Sequence, residues 1–127
     1  MIDVGSKTET ARKAIAEGRI QMSAHALELI KSKKLPKGDP LSLAEAAGIM
    51  AAKKTSELLP LCHPLFLDSV SVKSRIVSET TIQVICEVNT TAKTGAEMEA
   101  LMGVKVALLT IYDLVKGVDP ELSIQDV

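Results

Sequence analysis

Glu99, Gly103, Val106, Thr110, Asp113 and Lys116 recur at steps of three and four residues, so a helix would place them along one stripe. Asp113 and Lys116 stand one turn apart and can form an acid–ammonium pair, a combination suited to moving protons. The plainer reading is a surface ion pair worth about a few tenths of a kcal/mol. Glu99 lies on the same stripe but fourteen residues earlier, which at 1.5 Å per residue is about 21 Å. A single small-molecule site within one subunit scarcely spans that length. If both ends serve one site, a second subunit must supply the other half. Gly103, between them, is where another backbone could approach. Glu97 reads more simply, as the capping-box partner of Thr94.

A second group centres on "ELLPLCHPLFL", Glu57–Leu67, where Cys62 and His63 are adjacent between Pro60 and Pro64. The chain has only two histidines and two cysteines. A zinc site needs three or four ligands at recognisable spacings, and His25 and Cys86 show none. No metal ligand is therefore assigned. A Cys–His nucleophilic pair requires the side chains to face one another, whereas neighbours in an extended segment point to opposite sides. A packed histidine, or a proline-stiffened turn that presents His63 at a pocket wall, is left. Lys53 and Lys54 close the preceding Ala-rich stretch, where cations complement a helix C-terminus. Lys37 sits in the loop "LPKGDP", a common phosphate approach that decides nothing alone.

These residues need elements to hold them. Residues 1–10 are polar and read as flexible. Residues 11–22, "ARKAIAEGRIQM", are ambiguous, with helical propensity in the first half, an interruption at Gly18 and a strand-like end. Ser23 can cap a helix over 23–34. Asp39-Pro40 begins another, with Ser42 and Glu45 as a second capping box, running to about Leu58 and ending before Pro60. Residues 66–91 alternate as an antiparallel hairpin: Val70, Val72, Ser74 and Ile76 share one face of the first strand, and Ile82, Val84, Cys86 and Val88 one face of the second. Cys86 is thus a small core residue. The longest helical pattern covers about 95–117, and "ELSIQDV" is a last short strand. The order suggests an α+β two-layer fold, with helices on one face of an antiparallel sheet.

Composition narrows the function. At 127 residues the chain suits one domain. It is 46% hydrophobic and 24% charged, as ordinary soluble proteins are. Phe66 and Tyr112 are its only aromatics, so a base-stacking platform is absent. Fifteen basic residues balance sixteen acidic ones with no basic block, which argues against nucleic acid as a partner. No apolar run approaches the ~20 residues of a membrane span. The two unpaired cysteines and the lack of a signal peptide suggest a cytoplasmic protein.

Four blocks carry a family resemblance. "KGD" at Lys37–Asp39, "AGIMAAKKTSELLPLCHPL" at Ala47–Leu65, "KTGAEMEAL" at Lys93–Leu101 and "ALLTIYDLVK" at Ala107–Lys116 resemble, in order and across nearly the whole chain, the cyclic pyranopterin monophosphate synthases of molybdenum-cofactor biosynthesis. The resemblance implies a ferredoxin-like domain, a strand within residues 11–22, and a homohexamer built as a trimer of dimers with sites at the dimer interface. It implies conversion of 3′,8-cyclo-7,8-dihydroguanosine 5′-triphosphate into cyclic pyranopterin monophosphate with release of pyrophosphate. By matching motif positions, Asp113, Lys116 and Lys53 are the implied catalytic residues. Leu61, Cys62, His63, Met98, Glu99 and Lys37 are the implied substrate contacts.

The family usually continues into a Gly-rich tail carrying another lysine, whereas this sequence stops at Val127. No cofactor is expected. Magnesium would enter as the partner of the triphosphate, since no dedicated cation cage is encoded. The rival expectation is a non-catalytic oligomeric nucleotide-binding module.

Overall fold

The computed structural model describes residues 1–127. In chain order the elements are β1 (Thr10–Gln21), α1 (Ala24–Lys31), α2 (Pro40–Lys53), α3 (Thr55–Leu58), β2 (Leu67–Ile76), β3 (Thr81–Ala92), α4 (Glu97–Val115) and β4 (Ser123–Gln125). The four strands form one antiparallel sheet in the order β2-β3-β1-β4. With α2 and α4 packed on one face, this is the expected α+β, ferredoxin-like fold.

Local propensity and tertiary pairing disagree over residues 11–22, and pairing prevails. β1 is matched to β3 along its whole length, from Thr10 opposite Ala92 to Gln21 opposite Thr81. Its inward residues, Ala14, Ala16, Gly18 and Ile20, are small or apolar and lie under α4, while Lys13, Glu17 and Arg19 point outward. The hairpin has the expected register: Val70 faces Val88, Val72 faces Cys86, Ser74 faces Val84 and Ile76 faces Ile82, with an irregularity between Leu67 and Ser69. Ile82, Val84, Cys86 and Val88 are completely buried beneath Ala100, Val104, Ala107, Leu108 and Ile111 of α4. Burying each large aliphatic side chain there contributes about 1.5–3 kcal/mol.

Three local expectations change. The Ala-rich helix does not run unbroken to Leu58. Lys54 leaves helical geometry at φ −109°, ψ 10°, and α3 follows as a separate turn. The Thr55 hydroxyl donates to the carbonyls of Ala51 and Ala52, both at 3.0 Å, and such back-bonding bends a helix. The Ser42–Glu45 capping box does not form. Asp39 caps α2, accepting from Leu41 N at 3.0 Å and from the Ser42 hydroxyl at 2.7 Å. Glu45 instead accepts from both the amide and the hydroxyl of Ser74, each at 2.9 Å, tying α2 to β2. Thr94 does not cap α4 either. Ala96 is the N-cap, without a side-chain bond, so Glu97 is the first helical residue rather than the third. The Ser23 cap on α1 forms as expected, its hydroxyl accepting from Ala26 N at 3.1 Å.

α2 and α4 cross with their backbones almost touching. A Cβ added at Gly48 would lie 2.8 Å from the Gly103 carbonyl, and one at Gly103 would lie 2.6 Å from Cys86 Sγ. No side chain fits between the helices at this crossing, nor between α4 and the sheet. Gly103→Ala is therefore expected to lower unfolding stability by about 1–3 kcal/mol, despite alanine's better helix propensity. Adding Cys86→Ala should restore part of that loss. Urea unfolding of both single variants and the double variant measures the coupling, and strict additivity would refute the contact.

Candidate active site

Apart from Lys53, the implied site residues fall into two clusters at opposite ends of α4. At its start, the chain leaves α3 through the Leu59–Pro64 turn, closed by Cys62 N donating to Leu59 O at 3.1 Å. This turn presents Leu61, Cys62 and His63 to a cavity of about 660 Å³, with Met98 and Glu99 of the first turns of α4 on the opposite wall. Five of the six implied substrate contacts thus share one cavity.

Cys62 and His63 diverge there, as extended neighbours should. The Cys62 thiol faces Glu99 Oε2 at 3.8 Å. His63 Nε2 lies 2.6 Å from the Ile2 carbonyl, which can only accept, so this nitrogen carries the proton, and the thiol's hydrogen-bond partners do not include the ring. Glu99 is only 2% exposed, and burial raises its carboxyl above the ordinary range. Burial also raises the Cys62 thiol, and the negative charge of Glu99 adds to the effect. The pair therefore disfavours thiolate, opposite to what a cysteine nucleophile requires. Cys86 is buried in the core with its thiol pushed up to about 11.

At the other end of α4, Asp113 Oδ1 and Lys116 Nζ form an ion pair at 2.9 Å. Lys37 reaches the same spot from its loop and donates to the Asp113 carbonyl at 3.3 Å. Both members of the pair are more than half exposed, so it adds little stability. The Asp113 carboxyl is held below its usual range, first by the hydrogen bond and charge of Lys116, then by the charge of Lys37. It is thus a carboxylate at neutral pH, flanked by two ammonium groups.

Lys53 joins neither cluster. It ends α2 beside a shallow groove walled by Ile49, Phe66 and Val70. One chain therefore does not bring Lys53 together with Asp113 and Lys116. Nor does it join the Asp113 end to the Glu99 end, since α4 keeps them about 21 Å apart.

Two features of the cavity escaped the sequence reading. Glu97 is a lining residue instead of a cap partner, and its carboxylate lies against Gly95. Ile2, Val4 and Lys7, from the segment expected to be flexible, also line the cavity. Nothing in their types announced that.

An α+β domain carrying an apolar cavity of about 660 Å³ edged by carboxylates, and a separate aspartate–lysine cluster, has the form of a small-molecule site. No helix is long and apolar enough to cross a membrane. The whole chain, residues 1–127, matches the MoaC family, and the chain belongs to that family. It is 49% identical to a cyclic pyranopterin monophosphate synthase of Roseiflexus sp. (strain RS-1), over 98% of this chain and 79% of that protein. It is 48% identical to one from Desulfitobacterium hafniense over 100% and 78%, and 52% identical to one from Novosphingobium aromaticivorans over 98% and 79%.

The Cys62–Glu99 contact makes a direct prediction. Glu99→Gln removes the charge that opposes thiolate formation, so Cys62 should react faster with a disulfide reagent at pH 8. Cys86 stays unreactive in the folded protein and provides the internal control. An unchanged Cys62 rate would show that Glu99 does not control the thiol. In turnover assays Cys62→Ser should keep much of the activity, whereas His63→Ala should lose most of it.

Proposed function

We propose that this protein catalyses the conversion of 3′,8-cyclo-7,8-dihydroguanosine 5′-triphosphate into cyclic pyranopterin monophosphate with release of pyrophosphate, a lyase step of molybdenum-cofactor biosynthesis. The observation that carries the reading is the agreement between a whole-chain family match and the site. Leu61–His63 and Met98–Glu99, separated by more than thirty residues, converge on one cavity of about 660 Å³. That volume lies within the ordinary range for small-molecule sites.

Chemistry is assigned to the other cluster. Asp113 is ionised, so it enters the reaction as a proton acceptor, and the Lys116 ammonium beside it is the donor. Lys37 and Lys53 supply compact positive charge for the triphosphate and for the charge that develops on pyrophosphate. His63 orients the ring. Magnesium accompanies the triphosphate, and no further cofactor is invoked.

The working unit is a homohexamer, a trimer of dimers. In the dimer the Glu99 end of one subunit meets the Asp113 end of another. The 21 Å separation within a chain supports that arrangement, because α4 is one unbroken helix. The protein works in the cytoplasm.

Asp113→Asn tests this assignment. It keeps the shape and removes the proton acceptor, so product formation should fall at least about a hundredfold, the ordinary size of general-base catalysis. Mass spectrometry of the incubation reads product and pyrophosphate, and sedimentation confirms that the oligomer persists. Wild-type turnover in that variant would remove Asp113 from the mechanism. Substrate bound by the wild-type protein but recovered unchanged would favour a non-catalytic nucleotide-binding module.

A further inference from the structure

Residues 1–9 contain no helix or strand, yet they are tied across the cavity mouth. Three bonds hold them. His63 Nε2 donates to the Ile2 carbonyl at 2.6 Å, Lys93 Nζ donates to the Gly5 carbonyl at 3.4 Å, and a turn closes between Lys7 N and Val4 O at 3.0 Å. Asp3 Oδ1 steadies the turn by accepting from Gly5 N at 2.8 Å. Val4 is partly buried in this arrangement, while Ile2 and Lys7 remain exposed.

The charges of the cavity make this segment matter. Its lining carries the carboxylates Glu97 and Glu99, and its only lysine or arginine is Lys7. Glu97, and Glu99 wherever it is ionised, repel a polyanion. A cation at the rim is needed for a phosphate-bearing molecule to enter. Lysine suits that role, being a compact charge on a flexible stem that reaches from an exposed backbone.

We infer that the segment Ile2–Lys7 is a strap belonging to the site, and that Lys7 is a further substrate-binding residue whose ammonium pairs with a phosphate oxygen of the nucleotide. The inference rests on the function proposed above. The Ile2–His63 bond is the latch that seats the strap, and the Val4–Lys7 turn directs Lys7 to the cavity.

The experiment compares wild type with Lys7→Ala, Lys7→Arg and, as a control, Lys73→Ala on the open face of the sheet. Lys7→Ala should raise KM about tenfold or more, the size of one lost charge-assisted hydrogen bond, with kcat little changed. Inorganic pyrophosphate should weaken as a competitive inhibitor by a similar factor. KM should also depend less steeply on salt, while Lys7→Arg recovers most of the affinity and Lys73→Ala behaves as wild type. A wild-type KM and wild-type pyrophosphate inhibition in Lys7→Ala would overturn the assignment. So would a loss confined to kcat, or an equal rise in KM for Lys73→Ala. If wild type proves inactive on the substrate, the proposed function fails separately. Calorimetric titration of the same four proteins with pyrophosphate still decides Lys7: weaker binding only in Lys7→Ala supports it, and equal binding overturns it.

Discussion

The close crossing of α2 and α4 at Gly48 and Gly103 is the constraint from which the rest of the structure follows. With no side chain between the helices, α2 is held by backbone against backbone, and Glu45 fixes its roll by taking both hydrogen bonds from Ser74. The same contact presses Gly103 onto Cys86 at the centre of β3, so α4 has one allowed height above the sheet. Once both helices are placed, so are their ends. The Lys37 loop before α2 falls beside Asp113, and the Leu59–Pro64 turn beyond α3 falls beside Glu99. A side chain at either glycine would shift both clusters together, because interiors packed this densely transmit displacement rather than absorb it.

The two ends of α4 then differ in dielectric as well as position. Glu99 is buried, with its carboxyl pushed up and a thiol as its partner. Asp113 is exposed, with its carboxyl pushed down between two lysines. The same kind of group is thereby held in different states: a carboxyl that resists ionisation at one end and one held ionised at the other. The helix macrodipole cannot account for this contrast. It favours negative charge at the start of a helix and disfavours it at the end, which is the reverse of the shifts observed. Burial and local lysines outweigh it.

Much of this was legible in the sequence, for identifiable reasons. The hairpin was readable because Val70–Ile76 and Ile82–Val88 alternate, broken only by Ser74 on the inner face and Ile85 on the outer, and a one-residue slip would turn the core side chains outward. The stripe from Glu99 to Lys116 follows from helical geometry alone. β1 was not legible locally, since alanines and charges favour a helix there and only pairing with β3 makes the strand. Glu97 was misread because a capping box needs its Ser or Thr at the N-cap, and the buried Ala96 takes that place. Lys53 illustrates a different limit. The resemblance groups it with Asp113 and Lys116, yet its position beside the Phe66 groove separates it from them.

That separation bears on how a polyanion could be held. The cavity at the start of α4 offers apolar walls and two carboxylates, which suits a neutral, hydrogen-bonding ring but opposes a triphosphate. Positive charge therefore has to be brought to it. Among the residues that line the cavity only Lys7 does so, and it does so from outside the core, on a few hydrogen bonds that can open at little cost. Lys37 and Lys116 stand at the far end of a rigid helix. Under the proposed dimer they arrive from the second subunit, so that neither protomer alone carries the charge its substrate demands. Burying a ring and neutralising a triphosphate need opposite environments, and the two ends of α4 supply one each, apolar walls around Glu99 and lysines around Asp113.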